Sequence, residues 1–134
     1  MISKHDALIY TMVITSAADQ EMTDAELQTI GDVVRHLPAF RDFDVQTLPT
    51  VSAQCAEMLT EEDGLESVLN QVHAALPESL RETAYALAVD VAAADLHAAQ
   101  EELRILEMLR YHLEIDRLTA AAIERGARAR YRAG

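Results

Sequence analysis

The sequence predicts an all-α fold of about seven helices. Alanine and leucine dominate a chain that is 50% apolar, and only four glycines and three prolines interrupt its 134 residues. Apolar side chains recur at spacings of three and four, with no run of the alternation that a half-buried strand requires. Aromatic residues are scarce, so the core has to be built from aliphatic side chains at close helix contacts. A chain of this length fits one domain, residues 1–134, and can bury a substantial core.

The elements follow in order. The first helix begins after Ser3, which caps it toward Asp6, and runs to Ala18 with Leu8, Val13 and Ala17 among its buried positions. The second begins after Thr23 and ends before Pro38, with Leu27, Ile30, Val34 and Leu37 as its apolar stripe. Beyond "PAFRDFD", a third helix carries Val51, Cys55, Met58 and Leu59. "TEEDG" is a turn on the strength of Asp63-Gly64, and "LESVLNQVHAAL" forms the fourth helix. Pro77 suits a first helical position and opens a long fifth helix from about Glu78 to Ala94, whose alanines permit close neighbours and a central place. A sixth helix covers roughly Ala99 to His112, and Asp116 caps a seventh, "RLTAAAIERGARARYR".

Charge narrows the function classes. A formal net charge of -12 argues against nucleic acid, which needs a basic face, and favours cations and basic partners. The last ten residues, "RGARARYRAG", are a local exception with four arginines and no acid. Cations suit a helix C-terminus and Glu124 stands four residues before Arg128, so an internal ion pair is the expected use of this segment; docking to anionic lipid or an acidic subunit is the alternative. The single cysteine, Cys55, excludes an internal disulfide and a cysteine-rich zinc site, which fits a cytoplasmic or at least redox-indifferent protein, and its apolar neighbours suit a buried thiol. The apolar stretch near the N-terminus is too short to span a membrane and lacks the form of a secretion signal.

Two acidic stretches stand out. "AADQEMTDAE" at 17–26 crowds Asp19, Glu21, Asp24 and Glu26 without a Lys or Arg, and "AADLHAAQEE" at 93–102 repeats its Ala-Ala-Asp with a glutamate again seven residues on. A shift of 76 residues superimposes Val13 on Val89, Asp19 on Asp95, Glu26 on Glu102, Leu27 on Leu103 and Leu37 on Leu113. The repeat, 7–37 and 83–113, is a helix, a short acidic loop and another helix. If the two hairpins pack about a pseudo-twofold axis, their loops pool carboxylates. Crowded carboxylates raise one another's pKa and destabilise a fold unless a cation sits among them, and hard divalent ions prefer oxygen ligands.

The candidate ligands are accordingly Asp19, Glu26, Asp95 and Glu102, which recur in both copies. Glu21, Asp24 and Glu101 either add to them or are solvated. Asp90 lies in the alanine-rich helix and either faces the loops or pairs with an arginine, since a carboxylate is hard to bury alone. His97 takes the place of Glu21 in the second copy and offers a nitrogen ligand. A bland account of Glu26 also exists: Thr23-Asp24-Ala25-Glu26 has the form of a capping box, in which the glutamate bonds back to the backbone. Ala99 replaces the threonine in the second copy, so a capping box does not account for Glu102.

The paired "AAD" loops, the linking "LPESLRETAYALAVDVAAAD" and "EELRILEMLRYHLEID" resemble the TerB family of tellurite-resistance proteins over nearly the whole chain. The resemblance implies an all-α fold of about seven helices and an acidic surface that binds a divalent metal such as calcium, manganese or zinc. It also implies a non-enzymatic role in resistance or stress complexes, with other resistance proteins as partners, some at the inner face of the membrane. The chain departs from the family's Ala-Asp-Gly loop, carrying Gln20 and Leu96 at the glycine position. A positive φ there would cost a non-glycine residue about 1 kcal/mol.

Other chemistries fail on spacing. An EF-hand beginning at Asp19 would need glycine and glutamate where Asp24 and Ile30 stand. No histidine has the Glu-x-x-His form of a di-iron site, and zincin, P-loop, dinucleotide and nucleophile-elbow motifs are absent. A metal-dependent hydrolase lacks a pocket-forming aromatic set. The rival to metal binding is a purely structural helical module whose faces form a homodimer.

Overall fold

The structure, a computed structural model, describes residues 2–18, 23–94 and 100–134. Among these the regular elements are all helical: seven α-helices and three short 3-10 turns. The first, α1 (Lys4–Ser16), opens as its sequence requires, with the Ser3 hydroxyl accepting the Asp6 N–H at 3.0 Å. Every residue from Ala7 to Ser16 is buried, so α1 has no solvent face and has to be enclosed by its neighbours. Its buried threonines satisfy their hydroxyls locally, Thr11 donating to the Ala7 carbonyl and Thr15 to that of Thr11, each at 2.9 Å. The helix stops two residues short of Ala18, and Ala17 caps it half-buried, donating to the Val13 carbonyl at 2.9 Å.

Helix α2 (Asp24–His36) begins after Thr23 and ends ahead of Pro38 as expected. Its inward face differs from the predicted stripe. Glu26, Ile30, Gly31 and Val34 are buried, whereas Leu27 is 50% exposed. The 3-10 turns Pro38–Phe40 and Val45–Thr47 lead into α3 (Leu48–Leu59), which is followed by α4 (Gly64–Ala75). His5 fits beside this connection, its ring centroid 5.8 Å from that of Phe40 and 5.4 Å from that of Phe43.

Pro77 is not the first residue of a long helix. It stays extended (ψ 152°) ahead of a 3-10 turn, Glu78–Leu80, closed by the Leu80 N–H on the Pro77 carbonyl at 2.9 Å; α5 (Arg81–Ala93) then begins. Helices α6 (Gln100–His112) and α7 (Arg117–Arg130) complete the chain. Asp116 caps α7, accepting from the Thr119 hydroxyl (2.7 Å) and N–H (2.9 Å), and these bonds hold its carboxyl below the usual range.

Helices α1 and α5 form the central pair. Around them α3 and α4 pack on α1, and α7 on α5. The remaining two cross over: α2 leans on α5, and α6 reaches α1 as well as α5. One hydrophobic cluster extends through all of them, from Leu8 and Met12 through Val68 and Leu109 to Ala127. Among the described residues, no helix is long and apolar enough to cross a membrane.

The α3–α4 turn depends on two adjacent residues in different ways. Asp63 takes the left-handed conformation (φ 58°), while Gly64 is needed for closeness: a Cβ there would lie 2.1 Å from the Met58 carbonyl oxygen. Backbone cannot yield that far without moving α4. We expect Gly64→Ala to lower stability by about 1–3 kcal/mol, the usual cost of forced overpacking, read as a lower urea midpoint. Cys55 is fully buried on α3 and burial pushes its thiol up to about 12. The thiolate is the reactive form. At pH 8 the native protein should therefore resist iodoacetamide while the urea-unfolded chain is alkylated, a difference that mass spectrometry resolves.

Candidate metal centre

The N-terminus of α2 holds a complete capping box. The Thr23 hydroxyl accepts the Glu26 N–H at 3.1 Å, and Glu26 Oε1 accepts from the Thr23 N–H at 3.0 Å and from its hydroxyl at 3.2 Å. The cap therefore accounts for one oxygen of Glu26. It does not account for Oε2, which is buried with no hydrogen-bond partner among the described residues. A buried acceptor left unpaired costs about 1–3 kcal/mol, more when it is charged, so this oxygen fits a cation as a ligand.

The corresponding start of α6 buries its glutamate too. Glu102 is the third residue of α6 as Glu26 is of α2, and both are 0% exposed. In each helix the next residue is a leucine left 50% exposed, Leu27 in one and Leu103 in the other. Successive residues on an α-helix point about 100° apart. The register that seats Ile30 and Val34 of α2, and Ile105, Leu106 and Leu109 of α6, in the core therefore carries the glutamate inward and leaves the adjacent leucine at the edge.

The other sequence candidates separate. Asp24 and Glu101 are exposed in the first turns of α2 and α6, where carboxylates are favoured by the positive end of the helix. Asp90, on α5, pairs with Arg130 at the end of α7, which answers its alternative readings in favour of an arginine partner. Asp19, Glu21, Asp95 and His97 lie outside the described residues, as do Gln20 and Leu96 at the family's glycine position and Ala99 opposite Thr23. Among the described residues, no three His, Cys, Asp or Glu side chains gather as a metal-holding group. Of the remaining histidines, His36 donates to the Asp32 carbonyl (2.9 Å) and His73 stands 3.4 Å from Glu114.

The C-terminal segment differs from expectation. Glu124 accepts the Tyr85 hydroxyl at 2.7 Å in place of pairing with Arg128, and the arginine engaged is Arg130. Burial, then this bond to Glu124, raises the Tyr85 phenol. Beside them is a groove of about 560 Å³ between α6 and α7, a feature that sequence reasoning missed. Small side chains, Ala92 and Ala93 of α5 and Ala127 of α7, leave the volume that larger ones would fill, and Tyr85 and Tyr131 line it beside them. The alanine run of α5 was the available signal.

Among the described residues the chain is an acidic, all-helical domain in which two helices each bury a glutamate at their third position. More particularly, the chain belongs to the tellurite resistance protein TerB family, whose model matches residues 5–125. That span includes both acidic stretches. No curated protein and no solved structure matches the chain.

Thr23 links the cap to the buried carboxylate. Thr23→Ala should destabilise the protein by about 1 kcal/mol or somewhat more, because it removes a cap and a partner of Glu26 together; chemical denaturation measures the loss.

Proposed function

We propose that the stretches 17–26 and 93–102 together form one divalent-cation site and that the protein is a non-enzymatic, metal-binding accessory or scaffold in tellurite resistance or a related stress response. The observation that carries this reading is the shared register of Glu26 and Glu102, buried whole beside half-exposed leucines. The crossed packing of α2 on α5 and α6 on α1 supports pseudo-twofold hairpins that bring the two stretches together. We take Asp19 and Asp95 as the next ligands and Glu21, Asp24 and His97 as further candidate donors. Asp90 stays with Arg130. Oxygen donors of this kind suit calcium or manganese, and a contribution from His97 would favour zinc.

The family description supports the link to tellurite resistance. The protein acts in the cytoplasm in this reading, with other resistance or stress proteins as partners, some of them peripheral to the inner membrane. A structural module that forms a homodimer is the second reading, favoured by Tyr111 and Leu118, which are 81% and 82% exposed.

Calorimetric titration of calcium, manganese and zinc into wild type should show saturable binding that Asp19→Ala/Asp95→Ala abolishes. Equal weak heats in both proteins would sink the metal reading. At a metal concentration 100 times the Kd, the bound ion should stabilise the fold by about 2.7 kcal/mol, and Glu26→Gln should lose most of that shift. Sedimentation of the metal-free protein tests the dimer separately.

A further inference from the structure

The groove between α6 and α7 is separate from the glutamates and has a different chemistry. Both helices pack on α5 and make at most a marginal contact with each other, so α5 forms the floor between them. The floor is mostly apolar, with Val89 and Tyr85 joining Ala92 and Ala93, while Leu106 of α6 and Ala127 and Tyr131 stand beside it. Leu103, the half-exposed leucine of α6, stands on the wall. A volume of about 560 Å³ lies within the range of small-molecule sites.

The polar rim supplies the sign of the occupant. Although the chain carries -12, three of its arginines, Arg110, Arg128 and Arg132, line this groove. Two acids share it. Glu124 is hydrogen-bonded to Tyr85, and Glu107 stands on the α6 side. The place for an anion is thus the end of α7, where Arg128 and Arg132 offer planar guanidinium forks suited to a carboxylate.

We propose that this groove binds a free long-chain carboxylate, its alkyl tail along the alanine floor against Leu103 and its head on Arg128 and Arg132. An alkyl chain covers the half-exposed Leu103 along an apolar lining of small-molecule volume, and its single charge complements the arginines of the rim.

The test is displacement of the fluorescent fatty acid cis-parinarate from the full-length protein by dodecanoate below its micelle concentration. One probe should bind per chain. Arg128→Gln/Arg132→Gln should weaken dodecanoate about tenfold, a loss of the size expected for charge-assisted hydrogen bonds. Leu103→Gln should weaken it severalfold, while Arg125→Gln, outside the groove, should leave it unchanged; circular dichroism verifies that each variant is folded. The absence of saturable binding to wild type would overturn the proposal. So would displacement by dodecanol equal to that by dodecanoate, or a loss in Arg125→Gln equal to that of the double variant. Anionic phosphatidylglycerol vesicles capturing the protein while dodecanoate does not bind would replace it with membrane docking.

Discussion

A helix buried on every side dictates what has to surround it. From Ala7 to Ser16 no residue of α1 reaches solvent, and its threonine hydroxyls are turned back onto its own carbonyls so that nothing polar on those side chains needs an external partner. At about 25 cal/mol per Å² of apolar surface, leaving even one face of such a helix wet would be costly on the scale of a protein's total stability. The enclosure falls to α3, α4 and α5, with α2 and α6 closing the remaining approaches. The alanines of α5 make this geometry available, because small side chains let a second central helix come close.

The same enclosure explains why the start of α2 is constrained. Ile30 and Val34 follow Glu26 at four-residue intervals, so the register that seats them in the core also carries the glutamate inward. The α6 register repeats the pattern with Glu102 and Leu106. The cap at Thr23 meets part of the cost by engaging one oxygen of Glu26. What it leaves is a second buried oxygen at the positive end of a helix, where negative charge is tolerated.

Local chemistry was the most legible part of the sequence. Ser3, Thr23 and Asp116 were each readable as caps because the donor and acceptor lie within three residues of one another. Periodicity was less reliable. It assigned Leu27 to the core because leucine is apolar, and had no means of seeing that the adjacent glutamate takes the inward position. Asp90 was undecidable in sequence, since its partner Arg130 lies 40 residues away. The groove was invisible for a different reason: it consists of volume that alanines do not fill, and its two aromatic residues, Tyr85 and Tyr131, lie 46 positions apart in the sequence. The metal-site candidates Asp19, Asp95, Glu21 and His97 lie outside the described residues, so their part in the site rests on the repeat and on the family.

Alanine on α5 has opposite consequences on its two sides. Toward α1, small side chains permit close packing and a dense core. Toward the space between α6 and α7, Ala92 and Ala93 leave a trough, because α7 is tethered to α5 at Asp90–Arg130 and Tyr85–Glu124 without closing against α6. Those tethers hold the wall in place by polar contacts. A groove kept open in this way need not collapse onto its floor, and its occupant has only to match an apolar bed and an arginine end. The acidic stretches and the groove are thus two consequences of one arrangement, the first set by the register of α2 and α6 and the second by the composition of α5.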